Sequence, residues 1–452
     1  MNLDKIHNIY FVGAGGIGMS ALAKYFLNCG KNVKGYDRHE SKITKELEQA
    51  GVSMDYDHQS QFGFHDADLI IYTPAVSADR PIRRQLKNTT IPQLKRAEVL
   101  GMITSLNKTA AVAGTHGKTT TCAMLAQLIH TVQGSVTAFI GGKSANFNSN
   151  FVFDENAEYT VIEADEYDRS FLLLTPYIGI ITAVDADHLD IYGSQAEMHR
   201  SFHEFADLVK GPLLINDRAA ACFKPDREFV TYGFEENADY QITDLRVREG
   251  QNIFNINTPG GTLTDLTCSL PGKHNVENAA AAVVLCHLIF PRQTEKIKRG
   301  LAAFKGVERR FETIAKSQTG VYIDDYAHHP REISAAVSAA HLMYPGKKVT
   351  VIFQPHLFSR TADFMDDFAC VLSEPDTTYL LEIYPAREKP IHGISSAVLT
   401  EKINEIKAGK AVLISKEEVC KKLKTDQPEV LLTLGAGDIA DLREMIKKEV
   451  YA

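Results

Sequence analysis

The residues best equipped for chemistry lie at positions 109–121, TAAVAGTHGKTTT. Ala110, Ala111 and Val112 read as the end of a buried parallel strand. Gly114 and Gly117 then permit a tight turn that aims successive N–H groups, those of Thr115 and His116 among them, towards one point. Lys118, Thr119 and Thr120 open the following helix, so backbone donors, helix dipole and an ammonium converge there. Such a point suits a triphosphate, with Lys118 against the β/γ-phosphates and the hydroxyls towards a divalent metal. The full phosphate-loop pattern has a glycine five residues before Gly117, where Val112 stands, so this loop is a shortened one.

Two acid-rich stretches follow, each where a parallel strand should finish. The first is Glu163-Ala164-Asp165-Glu166-Tyr167-Asp168, after an apolar strand at 159–162. Its four carboxylates in six residues repel one another unless a cation sits among them, so one is expected to bind magnesium; a solvated acidic loop is the plain alternative. Glu163, nearest the apolar run, lies closest to the sheet. The second is Asp185-Ala186-Asp187-His188-Leu189-Asp190, after a strand at 178–184. Imidazole is not magnesium's usual ligand, and by residue type alone His188 reads as a hydrogen-bonding side chain. Near the C-terminus, strands at 321–324, 348–353, 378–382, 411–414 and 429–434 alternate with helical stretches, and the loops after several of them are rich in His and Arg. Asp325-Tyr326-Ala327-His328-His329, Gln354-Pro355-His356 with Arg360, and Tyr384-Pro385-Ala386-Arg387 suit a carboxylate-bearing molecule.

These loops need elements to hold them. At the N-terminus a strand at 6–12 runs into Gly13-Ala14-Gly15-Gly16-Ile17-Gly18, a helix from 19 to about 29, and a strand at 32–36 that ends at Asp37. The spacing satisfies a dinucleotide fingerprint, with an acid about 20 residues on for a ribose hydroxyl. It supports a nucleotide diphosphate without separating NAD from another pyrophosphate ligand. A strand at 68–72 brings Thr73-Pro74 to the same edge. Residues 240–270 change to short alternating stretches separated by glycine turns and read as antiparallel hairpins attached to the α/β core. They end at Pro271-Gly272-Lys273-His274-Asn275, which opens an alanine-rich helix; His274, Asn275 and Asn278 are placed there to bond a base or cap the helix. Arg309-Arg310 at the next boundary can clamp a phosphate or neutralise acids.

With 452 residues, about three domains are expected at roughly 150 residues each, here 1–102, 103–308 and 309–452. The expected class is α/β: a Rossmann-like first domain, a central phosphate-loop domain with a small antiparallel sheet, and a C-terminal Rossmann-like domain. A net charge of −8 without a Lys/Arg block makes nucleic acid an unlikely partner. Seven scattered cysteines with no C-x-x-C pair fit a reducing cytosol. The N-terminus enters a strand at once, and the longest apolar stretch, 279–290, is too short to span a bilayer. A cytoplasmic protein without membrane insertion, monomeric or weakly dimeric, is expected.

The blocks GAGGIGMS, GTHGKTTT, EADEYD, DADHLDIY, GKHNVENAAAA, RRFE, DDYAHHP and FQPHLFSR, in that order across essentially the whole chain, resemble the Mur ligase family. DDYAHHP, FQPH and the YPARE stretch most resemble the member that adds L-alanine. The resemblance implies domains for a UDP-sugar, ATP and an amino acid. It also implies the reaction of UDP-N-acetylmuramate, L-alanine and ATP, through an acyl phosphate on the lactyl carboxylate, to UDP-N-acetylmuramoyl-L-alanine, ADP and phosphate in peptidoglycan precursor synthesis. Lys118, His188 and His328 then resemble catalytic residues. Gly114, Thr115, His116, Gly117, Lys118, Thr119, Thr120, His274, Asn278, Arg310 and Asp325 match ATP contacts. Thr119, Glu163 and His188 match ligands of magnesium, for which manganese is an alternative. Gly13, Gly15, Gly16, Gly18, Asp37, Thr73 and Pro74 would hold the UDP-sugar rather than NAD, and Tyr326, His328, Arg360 and Arg387 the amino acid. Three positions depart from the family pattern. No lysine lies between Asp190 and Lys210, with His199 near the place of a carbamylated lysine; Ala183 replaces an asparagine; and Leu357 replaces an arginine.

Overall fold

The computed structural model describes residues 1–57, 61–185, 192–222, 226–248, 250–317, 320–386 and 388–451. Three sheets account for the three expected α/β segments. The first is wholly parallel, in the order Ser53–Tyr56, Asn32–Asp37, Asn8–Val12, Leu69–Tyr72, Gln93–Lys95. Its central strands are near-continuous apolar runs, with Phe11, Val12, Ile70 and Ile71 fully buried, as a sheet covered on both faces requires. Strand order reverses between Asn8–Val12 and Leu69–Tyr72, and the loops after these two strands are the glycine loop and Thr73-Pro74. That is where an open α/β sheet leaves a crevice for a ligand.

The second sheet has ten strands, in the order Gly261–Cys268, Gln251–Thr258, Tyr240–Arg248, Val230–Gly233, Leu213–Asn216, Ile178–Ile181, Lys108–Ala113, Tyr159–Glu163, Thr137–Ser144, Ser149–Val152. Lys108–Ala113 lies in its middle, with Tyr159–Glu163 and Ile178–Ile181 as parallel neighbours. The phosphate loop is therefore flanked by the acid-rich loop after Tyr159–Glu163 on one side and by residues 182–185 on the other. The strand expected over 178–184 stops at Ile181 because Thr182 and Ala183 turn aside to bond the phosphate loop. Strands Tyr240–Arg248, Gln251–Thr258 and Gly261–Cys268 prolong this sheet. Two-residue connections join them, too short for the dozen or so residues a parallel crossover needs, so they run antiparallel. The hairpin Thr137–Ser144/Ser149–Val152 at the other edge had no clear signature in the sequence.

The third sheet runs Glu312–Lys316, Val321–Asp325, Val430–Leu434, Val349–Phe353, Thr377–Leu380, Ala411–Leu413. It is parallel except for Glu312–Lys316, an antiparallel edge strand. The chain forms two compact units, one of Met1–Thr243, Ile256–Leu263 and Asn278–Phe304, the other of Asp244–Asn255, Thr264–Glu277 and Lys305–Ala452. Among the described residues no helix is long and apolar enough to cross a membrane. Cys29, Cys122, Cys268, Cys286, Cys370 and Cys420 are free thiols.

Candidate active site

In the first unit the strand Lys108–Ala113 breaks at Gly114, where φ is +134° and a Cβ would fall 2.2 Å from Thr182 Oγ1 and 2.8 Å from the Ala183 nitrogen. Only glycine fits that path. The Thr115 N–H donates to the Ala183 carbonyl (3.0 Å), and Thr115 Oγ1 accepts from the Asp185 N–H (3.1 Å). Thr182 Oγ1 donates to the carbonyls of Ala113 and His116. The family asparagine replaced by Ala183 is thus not needed to tie the loop, because the main chain at 183 does so. Gly117, at φ +80°, is the N-cap of helix Lys118–Gln133, and no side chain caps it. The positive end of the helix dipole therefore faces this turn, as an anion site requires. Thr119 and Thr120 are buried in that turn.

Lys118 does not extend from this turn. Its Nζ donates to the Gly114 carbonyl (2.7 Å) and pairs with Glu166 at 2.8 and 2.7 Å from the two carboxylate oxygens. Burial disfavours the Lys118 charge, but Glu166, Asp165 and Glu163 outweigh it and hold the ammonium above its ordinary range. Glu166, which the sequence did not single out among the four carboxylates, is the lysine's partner. Glu163 closes its strand and accepts from the Gly141 N–H (3.0 Å). A hydroxyl and a carboxylate, Thr119 and Glu163, are hard oxygen donors of the kind magnesium takes alongside phosphate and water. Among the described residues no group of three or more His, Cys, Asp or Glu forms a metal cluster. His188 and Arg387 lie outside the described residues.

Asn278 was expected at a base or as a cap. Its Oδ1 accepts from Thr121 Oγ1 (3.2 Å) and lies where a Cβ on Gly117 would stand, 2.4 Å away, so it braces the phosphate loop. His199, on helix Gln195–Leu208, lines a cavity of about 470 Å³ with His203, Asp207 and Asp226. Burial and the neighbouring His203 lower its pKa.

The glycine loop of the same unit curls against Thr73, whose Cγ2 is 2.6 Å from a Cβ built on Gly13 (φ +89°). Helix Ile17–Asn28 starts at Gly16, again without a side-chain cap. Asp37 accepts from the Gly15 N–H through Oδ2 and the Arg38 N–H through Oδ1, both at 2.7 Å, so its carboxylate holds the loop in shape. Arg96, which the sequence did not single out, lies over Gly18 and pairs with Asp165 at 3.5 Å.

In the second unit the strand-end loops converge. Asp324 is fully buried and serves as an anchor, accepting from Arg309 Nε (3.1 Å) and Thr433 Oγ1 (2.6 Å). Asp325 accepts from the N–H groups of Phe311 (2.6 Å) and Ala327 (2.7 Å). Burial pushes its carboxyl up to about 6, although Arg310 and those two N–H groups oppose the rise. Arg309 and Arg310 face the Tyr326 ring at 5.0 and 5.2 Å. His328 Nδ1 is 3.0 Å from the Tyr326 carbonyl, a pure acceptor, which places a proton on Nδ1. A file of rings continues from Tyr326 through His328 and His356 to Tyr384. Arg360 belongs to helix Phe358–Asp363, entered through Leu357 at φ +72°. Glu388 accepts from the N–H and hydroxyl of Ser359 in that turn. His274 packs beside Gly272 and Ala339, and burial lowers its pKa to about 4, leaving a neutral ring. Glu388, in the YPARE stretch, and Glu332, which accepts from the His328 N–H at 3.0 Å, are additions to the strand-end loops the sequence singled out.

Three family models match the chain: Mur ligase family catalytic domain over residues 8–108, Mur ligase middle domain over 112–286, and Mur ligase glutamate ligase domain over 309–437. The UDP-N-acetylmuramate--L-alanine ligase of Flavobacterium psychrophilum is 45% identical over 100% of this chain and 99% of its own length. That of Christiangramia forsetii is 44% identical over 99% and 98%. The crystal structure of UDP-N-acetylmuramate-alanine ligase from Thermotoga maritima superposes with a TM-score of 0.84 at 28% identity, covering 98% of each chain.

Proposed function

The chain belongs to the Mur ligase family, and from that premise we propose that it joins L-alanine to the lactyl carboxylate of UDP-N-acetylmuramate with cleavage of ATP to ADP and phosphate. The observation that carries this reading is the uncapped glycine turn at Lys118–Gln133, flanked by the loops that follow Tyr159–Glu163 and Ile178–Ile181. A carboxylate is a poor electrophile. Transfer of the terminal phosphoryl group to its oxygen forms one P–O bond, breaks another and releases ADP. The alanine amine then attacks the acyl carbon, loses a proton, and expels phosphate through a tetrahedral intermediate.

In this reading Gly114, Thr115, His116, Gly117 and Thr120 cradle the phosphates, Lys118 offsets charge on the moving group, and Thr119 and Glu163 would hold magnesium. Magnesium, when bound, supplies further charge neutralisation at the β/γ-phosphates. The 13–18 loop and the helix it opens bind the UDP diphosphate through main-chain donors, and Thr73-Pro74 line the same edge. Tyr326, His328 and Arg360 bind the amino acid, and Arg310 and Asp325 serve the nucleotide. In this reading His328 accepts the amine's proton. We assign residues 1–102, 103–308 and 309–452 to the sugar nucleotide, ATP and amino acid, and the reaction to the cytoplasm, where these charged substrates are made.

A phosphate-release assay with each substrate omitted in turn tests the reading. Release should require all three substrates, and 18O from the sugar's carboxylate should appear in the liberated phosphate. Turnover indifferent to UDP-N-acetylmuramate, or phosphate free of that isotope, would refute it.

A further inference from the structure

Phosphoryl transfer needs the Lys118 ammonium at the nucleotide, yet the folded chain holds it against its own loop. An ammonium has three N–H donors. Here they donate to the Gly114 carbonyl (2.7 Å), to Glu166 Oε1 (2.8 Å) and, at longer range, to the Thr115 carbonyl (3.5 Å), while Glu166 Oε2 lies 2.7 Å away in the ion pair. The Glu166 side chain is 1% exposed. Its main chain is pinned as well, since its carbonyl accepts from the Tyr192 hydroxyl (2.6 Å) and from the Arg169 N–H (2.9 Å). Neighbouring Asp165 is held in turn by the Tyr167 N–H (3.1 Å) and Arg96 (3.5 Å). The main chain that carries the carboxylate is therefore braced.

A phosphate arriving at the open helix end must draw the ammonium away from this partner. We infer that Glu166 is a positioning residue that competes with the nucleotide's phosphates for Lys118, storing the lysine between turnovers and loosening the hold on ADP. The inference rests on reading the 114–120 loop as the nucleotide site. Its physical content is a difference between two states. Taking one partner out of a buried ion pair leaves an uncompensated charge. Without the Glu166 charge that penalty falls on the empty state, while in the filled state the phosphates compensate Lys118, so removing the carboxylate favours the filled state.

The test is calorimetric titration of MgADP into wild-type protein, Glu166→Gln, Glu166→Asp and Asp165→Asn, with thermal melts to verify folding. Glu166→Gln keeps the size and one acceptor but removes the charge, and its ADP dissociation constant should fall on the order of tenfold. Glu166→Asp, which draws the carboxylate back, should show a smaller fall and provides the reading if the Gln variant does not fold. Asp165→Asn removes an equal charge from a group paired to Arg96 and should change affinity by less than about twofold. A merely structural Glu166 would give the opposite sign, weaker ADP binding on substitution. Unchanged or weaker binding by the Glu166 variants overturns the inference, as does equal tightening by Asp165→Asn, which would reduce the effect to a general field. Failure of the wild-type protein to bind MgADP would instead strike the nucleotide-site reading itself.

Discussion

Replacing Gly114 by alanine should disable nucleotide binding for a reason separable from stability. At φ +134° an L-residue is strained by about 1–2 kcal/mol. The new Cβ would also meet Thr182 Oγ1 at 2.2 Å, the Ala183 nitrogen at 2.8 Å and the Thr182 nitrogen at 3.0 Å. Two of these atoms are backbone of the segment that follows Ile178–Ile181 and cannot swing aside, so overlap adds roughly 1–3 kcal/mol. The cheapest relief is displacement of the loop, which breaks the Thr115–Ala183 and Thr182–Ala113 hydrogen bonds that shape the cradle. Gly134, the C-cap of the same helix, is the control: φ is +87° and nothing lies within 4 Å of its added Cβ. Gly134→Ala should lose about 1 kcal/mol of stability in urea melts and bind MgADP as the wild type does. Gly114→Ala should lose about 2–5 kcal/mol and bind MgADP at least tenfold more weakly, about 1.4 kcal/mol. Wild-type ADP affinity in Gly114→Ala would refute the claim that this backbone path makes the site.

Other consequences are equally specific. Lys118→Ala should reduce kcat by on the order of a hundredfold or more in steady-state assays, since it removes the charge facing the moving phosphoryl group. Glu388→Gln should raise the KM for L-alanine on the order of tenfold while leaving those for ATP and UDP-N-acetylmuramate within about twofold, because it loosens the Ser359 turn that carries Arg360. Two half-buried groups of the second unit should impose opposite pH slopes on stability. Asp325 titrates at about 6 when folded and near 3.9 unfolded, so the folded state holds the extra proton between these values and stability falls by about 3 kcal/mol as pH rises through them. His274 titrates at about 4 when folded and near 6.5 unfolded, so stability falls by a similar amount as pH drops from about 6.5 to about 4. Relative to wild type, Asp325→Asn should therefore gain stability with rising pH across 4–6 in urea titrations, and His274→Gln should lose it across 4–6.5. Slopes unchanged from wild type in both variants would contradict the burial of these groups.

What the sequence determined by itself was whatever depends on local spacing. Alternation of apolar runs with helical stretches set the three parallel α/β segments. Glycines ahead of Lys118 and ahead of Ile17 marked two turns that only glycine can make, and acid-rich runs marked the ends of the strands expected at 159–162 and 178–184. Tertiary structure decided everything that depends on which side chain wins a partner across the chain. Glu166 rather than its three acidic neighbours takes Lys118 across 48 residues. Asn278 braces Gly117 and Thr121 from 157 residues away. Asp324 and Asp325, identical and adjacent, part into an anchor and a carboxyl near 6 because a strand turns successive side chains to opposite faces. Local sequence sets backbone path and periodicity, whereas the partner of a buried charge is chosen by packing between strands whose order no local pattern encodes.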